Sequence, residues 1–200
     1  MKRFIELVLL IILVSLFFMG KCSISNISIL PDENSENTGK KLSPPLNGIY
    51  HSAFPGFGLS EDDVTKRAVI DFEKLVGKKI VWAYFSNNWY KGIEFPKREV
   101  ELLHQIGVVP FIRLMPRSSL NIYVEEEEFT LDNIINGIFD EKLEKWAKDA
   151  KETGIPILLE FGTEMNGNWF SWSGAQNGGG TLTGYKDPMQ PDGPERFKDA

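Results

Sequence analysis

Val108–Met115 reads VVPFIRLM, a nearly unbroken apolar run interrupted only by Arg113. Apolar runs without strict alternation are what strands covered on both faces require. Lys79–Ser86 (KIVWAYFS) upstream and Ile157–Thr163 (ILLEFGT) downstream read the same way, and Gly48–Pro55 (GIYHSAFP) reads as an earlier strand. Between these runs the apolar period becomes helical. Ser60, followed by Glu61, Asp62 and Asp63, has the chemistry of a helix start, because acids suit the positive end of the helix dipole. Val64, Ala68, Val69, Phe72, Leu75 and Val76 then recur at helical spacing until Gly77. Pro96 opens a second helix with Val100, Leu103 and Ile106 inward and Gly107 at its end. Asp140 is read as the cap of a third, whose Leu143, Trp146, Ala147 and Ala150 share one face and which Gly154 and Pro156 end. Strands alternating with helices predict an α/β fold with a parallel sheet.

Two architectures have that order. A doubly wound sheet often carries a Gly-rich phosphate loop after its first strand. The stretch Phe54-Pro55-Gly56-Phe57-Gly58 is too short and too aromatic for one. A (β/α)8 TIM-type barrel gathers its polar residues at the C-terminal ends of the strands. Here the runs end in His51 and Ser52, in Tyr84, Ser86, Asn87 and Asn88, in Arg113 and Arg117, and in Glu160 and Glu164. The barrel is therefore expected, with about its first four βα units present. Pro194 starts a further helix (PERFKDA) inside which the sequence stops, so a fragment or truncated gene product is expected.

The chain carries a net charge of −6, which argues against nucleic acid as a partner. One Cys in 200 residues allows neither an intrachain disulfide nor a cysteine-based metal site; no cofactor or metal is expected, and a monomer is. Lys2 and Arg3 precede the apolar run Leu7–Met19, which is short for a membrane span and fits a signal peptide. Residues 1–22 are read as a signal peptide or membrane anchor, so export to the medium or cell surface is expected, with membrane contact only through this segment. Cys22 raises lipidation as an alternative, which Lys21 disfavours by standing where a small residue is needed. Residues 23–45 are rich in Ser, Asn, Lys and Pro and read as a flexible linker, leaving 46–200 as the folded domain.

The segment after the last strand, Glu164-Met165-Asn166-Gly167-Asn168-Trp169-Phe170-Ser171-Trp172, concentrates carboxylate, amide and aromatic groups. Alternation along the strand places Glu160, Gly162 and Glu164 on one side. A carboxylic acid at a strand end can protonate a glycosidic oxygen if burial against apolar groups raises its pKa. Trp169, Phe170 and Trp172 offer such a wall and stacking faces for pyranose rings, and Asn166 offers hydrogen bonds to hydroxyls. A strand-end ion pair of Glu164 with Arg113 is the competing reading.

The pattern TEMNGNWFSW over Thr163–Trp172 resembles the acid/base region of glycoside hydrolase family 26, the β-mannanases and related retaining β-glycanases. Further similarity runs through IYHSAFP, WAYFSNNWY, PFIRLMPR and NGGG, within Asn47–Ala200. The resemblance implies a (β/α)8 barrel and hydrolysis of a β-1,4-linked polysaccharide, mannan first among the candidates. It also implies that Glu164 is the proton donor. Many members of that family carry His immediately before the acid/base, where this chain has Thr163. Retention takes two carboxylates about 5–5.5 Å apart. The family's nucleophile is a Glu at the end of the seventh strand, beyond the last residue here, so these residues alone are expected to be inactive or nearly so. Glu160 is no substitute, since four residues of strand separate the two by roughly 13 Å. A non-catalytic carbohydrate-binding protein is the alternative function, with the same aromatic rim and no turnover.

Outside this segment, Trp89 reads as a sugar platform or rim packing, and His51 as a residue of the barrel mouth or a buried His. Arg113 reads as a partner of Glu164, of a sugar hydroxyl or of a structural carboxylate. Trp82 and Trp146 read as core, His104 as surface or packing, and Glu125–Glu128 as a solvated run.

Overall fold

The computed structural model describes residues 43–200. The expectations for the leader, for the possible lipid site at Cys22 and for the linker as far as residue 42 lie outside the described residues. Among the described residues no helix is long and apolar enough to cross a membrane.

Three parallel strands form one sheet in the order β1 (Trp82–Asn88), β2 (Val109–Met115) and β3 (Leu158–Phe161). The register pairs Ser86 with Arg113 and Arg113 with Glu160, so the three strands present these residues side by side. Helices α1 (Lys66–Val76), α2 (Lys97–Gln105), α3 (Leu131–Ile135), α4 (Asp140–Thr153) and α5 (Asp192–Asp199) complete the described elements. The fold is thus α/β with a parallel sheet, as the alternation of patterns predicts.

One face of the sheet is the core. Ala83, Phe85 and Ile112 are fully buried there with Val69 of α1, Val100 and Leu103 of α2 and Trp146 of α4. Each Val, Leu, Ile or Phe among them is worth about 1.5–3 kcal/mol by burial. Trp146 also donates its indole N–H to Asn87 Oδ1 at 3.0 Å, which fixes α4 on the far side of β1. A second apolar cluster of Met115, Leu131 and Trp172 sits beyond the end of β2 and takes in Phe161, Phe170 and Phe197.

Three expectations are corrected. Gly48–Pro55 is not a strand: its backbone pairs with β1 at the single bridge Ala53–Ala83, and Val81 N–H donates to His51 O at 2.8 Å. The Ser52 hydroxyl takes the Trp82 carbonyl at 2.6 Å, an acceptor a ladder would have used, and Pro55 has no N–H to give. The first helix begins at Lys66, capped by Thr65 Oγ1 accepting from Ala68 N–H, and not at Ser60. Its end at Gly77, in the left-handed conformation, is as expected. Glu61, Asp62 and Asp63 are freed from the helix and lie in the loop before it. Likewise Asp140 is the first residue of α4 and not its cap, which is Phe139. The loop between β2 and α4 holds α3, which no sequence pattern announced.

Candidate functional site

The sheet face opposite the core is polar. Alternation along β1 and β2 places Tyr84, Ser86 and Asn88 beside Phe111, Arg113 and Met115, and β3 adds Glu160. Arg113 is the hub. Its side chain is only 12% exposed, and it is paired with Glu61 at 3.1 Å and with Glu160 at 3.1 Å. The Glu61 contact has hydrogen-bond geometry. The Glu160 contact, through Nε, is electrostatic only, and Nε has no hydrogen-bond acceptor. Arg113 also donates to Thr163 Oγ1, and its guanidinium lies 4.9 Å from the centre of the Tyr84 ring. Tyr84 is pushed above its usual range, first by burial and then by the charge of Glu61. Arg113 pulls the other way, and Glu160 and Glu164 add to the rise. Three carboxylates therefore bear on one phenol.

A second tier ties the surrounding loops together. Asn88 is buried, donates to Ser60 O at 3.0 Å and accepts from Arg117 Nε at 2.7 Å. Burial lowers the pKa of Arg117. Asp62 takes the Lys91 ammonium at 2.6 Å. Burial works to raise the Asp62 carboxyl, but hydrogen bonds from Lys91, Ser60 and Asn88 outweigh it and hold the group below its usual value. Lys91 is raised in turn, chiefly by its hydrogen bond to Asp62.

Glu164 stands just past β3. The strand stops at Phe161 because Gly162 turns into the left-handed region, with φ 58°. A Cβ there would lie 2.9 Å from both Trp172 and Phe197, so packing also demands glycine. The expected alternation from Glu160 to Glu164 is broken at this turn. Glu164 itself has φ 54°, a conformation non-glycine residues rarely hold. Its backbone carbonyl accepts from Gly167 N–H at 2.9 Å, and its Oε2 accepts from Trp169 Nε1 at 2.8 Å. The glycine at 167 makes that reach possible: a Cβ would lie 2.5 Å from the Trp169 ring, which folds back over the backbone. The spacing E-M-N-G-N-W thus closes a carboxylate against an indole.

The other expected residues divide. Glu164, Asn166 and Trp169 share this exposed turn. The apolar wall expected around Glu164 is not formed, since its side chain is exposed. Trp172 is corrected: it is 1% exposed, stacks on Phe170 at 4.3 Å and donates its indole N–H to Thr163 O at 2.8 Å. It holds up the turn from below and offers no face to a sugar. Trp89 is corrected in the same sense. It is 1% exposed, with the rings of Phe129 and Phe139 packed on it at 5.4 and 5.9 Å. His51 is corrected too: it lies level with the start of β1, stacked on Phe72 of α1, away from the strand ends that carry Glu164. Arg113 lies in the site, with Glu61 and Glu160 as its carboxylate partners in place of Glu164.

Two acids were misjudged from the sequence. Glu61 was explained by the helix dipole, although Thr65 offered a cap closer to the first sustained helical repeat. Glu126, read as part of a solvated run, accepts from the backbone N–H of Ser118, Glu128 and Phe129 and from the Ser118 hydroxyl. It closes the loop after β2, which flanks Trp169 and Phe170. A larger groove, lined by Asp62, Asn88, Lys91, Glu94 and Arg98, opens beside the second tier and does not include Glu164.

Among the described residues no cluster of three or more His, Cys, Asp or Glu could hold a metal ion. No family model matches the chain, and no curated protein matches it at a significant level.

Proposed function

We propose that the protein is an exported, monomeric glycoside hydrolase acting on a β-1,4-linked polysaccharide, mannan first, with Glu164 as general acid and then base. The observation that carries this reading is Glu164 itself. It is an exposed carboxylate on a strained turn at the C-terminal end of a parallel strand, gripped by the indole of a half-exposed tryptophan. Strained φ values cost about 1–3 kcal/mol and persist where the surroundings over-determine them. Here Gly162, Gly167, Trp169 and Trp172 do so.

The proposed architecture is a (β/α)8 barrel whose inner face is the polar face of the sheet. In-order parallel strands, apolar packing on the helix side and ionisable residues at the C-terminal strand ends all support it. In the reaction, a sugar ring rests on Trp169 with its glycosidic oxygen at the free edge of Glu164. The proton passes to the leaving oxygen as a second carboxylate attacks the anomeric carbon, and Glu164 then takes a proton from water. The resemblance puts that nucleophile, a Glu, at the end of the seventh strand of the barrel. Asn166 is proposed to bind sugar hydroxyls.

The test is release of reducing ends from mannan, mixed-linkage glucan and xylan by the full-length protein. Hydrolysis of one of them with retained anomeric configuration is expected. Binding without turnover would replace the enzyme by a carbohydrate-binding protein, and neither binding nor turnover would end the glycan reading.

A further inference from the structure

Among the described residues, the non-glycine residues with positive φ are Glu61 (φ 60°) and Glu164 (φ 54°). The loop that carries Glu61 uses glycine at Gly56 and Gly58 for the same region of backbone space, both with φ 82°. At position 61 it holds a glutamate there instead. Such a conformation is unfavourable for a residue with a side chain, so the side chain must return something glycine does not.

Its contacts show how it is held. The Glu61 carbonyl accepts from Ser86 N–H at 2.8 Å, which seats the loop on the end of β1. The carboxylate Oε2 accepts from both Ser86 Oγ at 3.0 Å and Arg113 at 3.1 Å. The other oxygen, Oε1, has no donor among the described residues, and the side chain is 35% exposed on the polar face of the sheet. Two fixed donors on one oxygen orient the carboxylate and leave the second as an open acceptor. A hydroxyl donating to such an acceptor closes to about 2.5–2.7 Å. Arg113 is meanwhile shared between Glu61 and Glu160, so the cluster is not a site for an anion.

We propose that Glu61 is a substrate-binding residue of the Glu164 site, its Oε1 accepting a hydroxyl of the saccharide whose linkage Glu164 protonates. The inference rests on the glycosidase reading. It makes the loop between the Ala53 bridge and α1 a wall of the sugar site, opposite the Trp169 turn, with Arg113 joining the two through Glu61 on one side and Thr163 on the other. A ligand of neutral polyhydroxyl chemistry fits it.

The experiment is calorimetric titration of the full-length protein, carrying Glu164→Gln to prevent turnover, with β-1,4-linked hexasaccharides of mannose, glucose and xylose. Glu61→Gln is then added. It keeps an acceptor for Ser86 and Arg113 but places an amide beside the ligand. The Kd for the preferred hexasaccharide is expected to rise at least tenfold while the thermal midpoint stays within a few degrees. In the active protein the same change should raise KM more than it lowers kcat. Should Glu61→Gln fail to fold, Glu61→Gly relieves the backbone and is expected to keep the midpoint and lose the same affinity. An unchanged Kd in a folded Glu61 variant overturns this inference and leaves the glycosidase reading standing. A Glu164→Gln parent that binds none of the three, with no turnover by the wild type, overturns both.

Discussion

The two faces of the sheet solve different problems with the same three strands. On one, Ala83, Phe85 and Ile112 are sealed by helices, and Asn87 is satisfied by the Trp146 indole. On the other, one residue along in each strand, Tyr84, Ser86, Arg113 and Glu160 carry charge and hydroxyls that must satisfy each other. The first face gains stability with every atom it buries. The second holds a nearly buried guanidinium between carboxylates and supports two glutamates in strained backbone, an arrangement more costly than an apolar one of the same volume. That cost is why we propose it as the working face.

The contrast breaks most visibly on the core side. Phe85→Ala should cost about 3–5 kcal/mol in urea unfolding, since a fully buried aromatic leaves a cavity in the core. On the polar side, Arg113→Met should cost roughly 2 kcal/mol, because Glu61 and Glu160 lose their shared cation. It should also abolish glycan binding, which Phe85→Leu should not.

The core side was far more legible in the sequence than the working side, for a physical reason. Apolar periodicity reports burial, so VVPFIRLM, KIVWAYFS and the helix faces of Val100, Leu103 and Trp146 announced themselves. Strand ends and loops are set by tertiary partners. Glu61 has the pattern of a helix-start acid, but the helix begins at Lys66, capped by Thr65, and the carboxylate turns to Arg113. Trp172 and Trp89 depart from expectation for a related reason: indole composition does not say which face is covered. Trp169 reaches the surface because Gly167 lets it fold back, whereas Trp172 and Trp89 pack inward. The GIYHSAFP run had a strand's composition but spent Ser52 on a neighbour's carbonyl.

Smaller effects sharpen the comparison. Trp172→Phe keeps the stack on Phe170 and deletes one buried hydrogen bond to Thr163 O, so about 1 kcal/mol should be lost. Activity should fall disproportionately, since the turn bearing Glu164 loosens; kcat with an unchanged fold, read by circular dichroism, checks this. Asp62→Asn should have the least effect on stability, roughly 0.5–1 kcal/mol, because Lys91 is half exposed. Its pH dependence is the informative part. The Asp62 carboxyl is depressed on folding, so its contribution is complete above the unfolded value near 4 and is lost as pH falls through the folded one. Lys91 is raised, so its contribution holds below its unfolded value and is lost as pH rises through the folded one. The urea midpoints of wild type and Asp62→Asn should therefore differ at pH 6 and draw together as pH falls through the folded value of Asp62.

The central claim is that Glu164 delivers the proton. The direct measurement compares the full-length protein with its Glu164→Gln variant on a β-1,4-polysaccharide and on a dinitrophenyl glycoside whose leaving group needs no proton. General acid catalysis typically contributes 10²–10⁴-fold. The account predicts a loss of that order on the polysaccharide, with a much smaller loss in bond cleavage on the aryl glycoside and partial rescue by azide. Equal activity of the two proteins on the polysaccharide would contradict it.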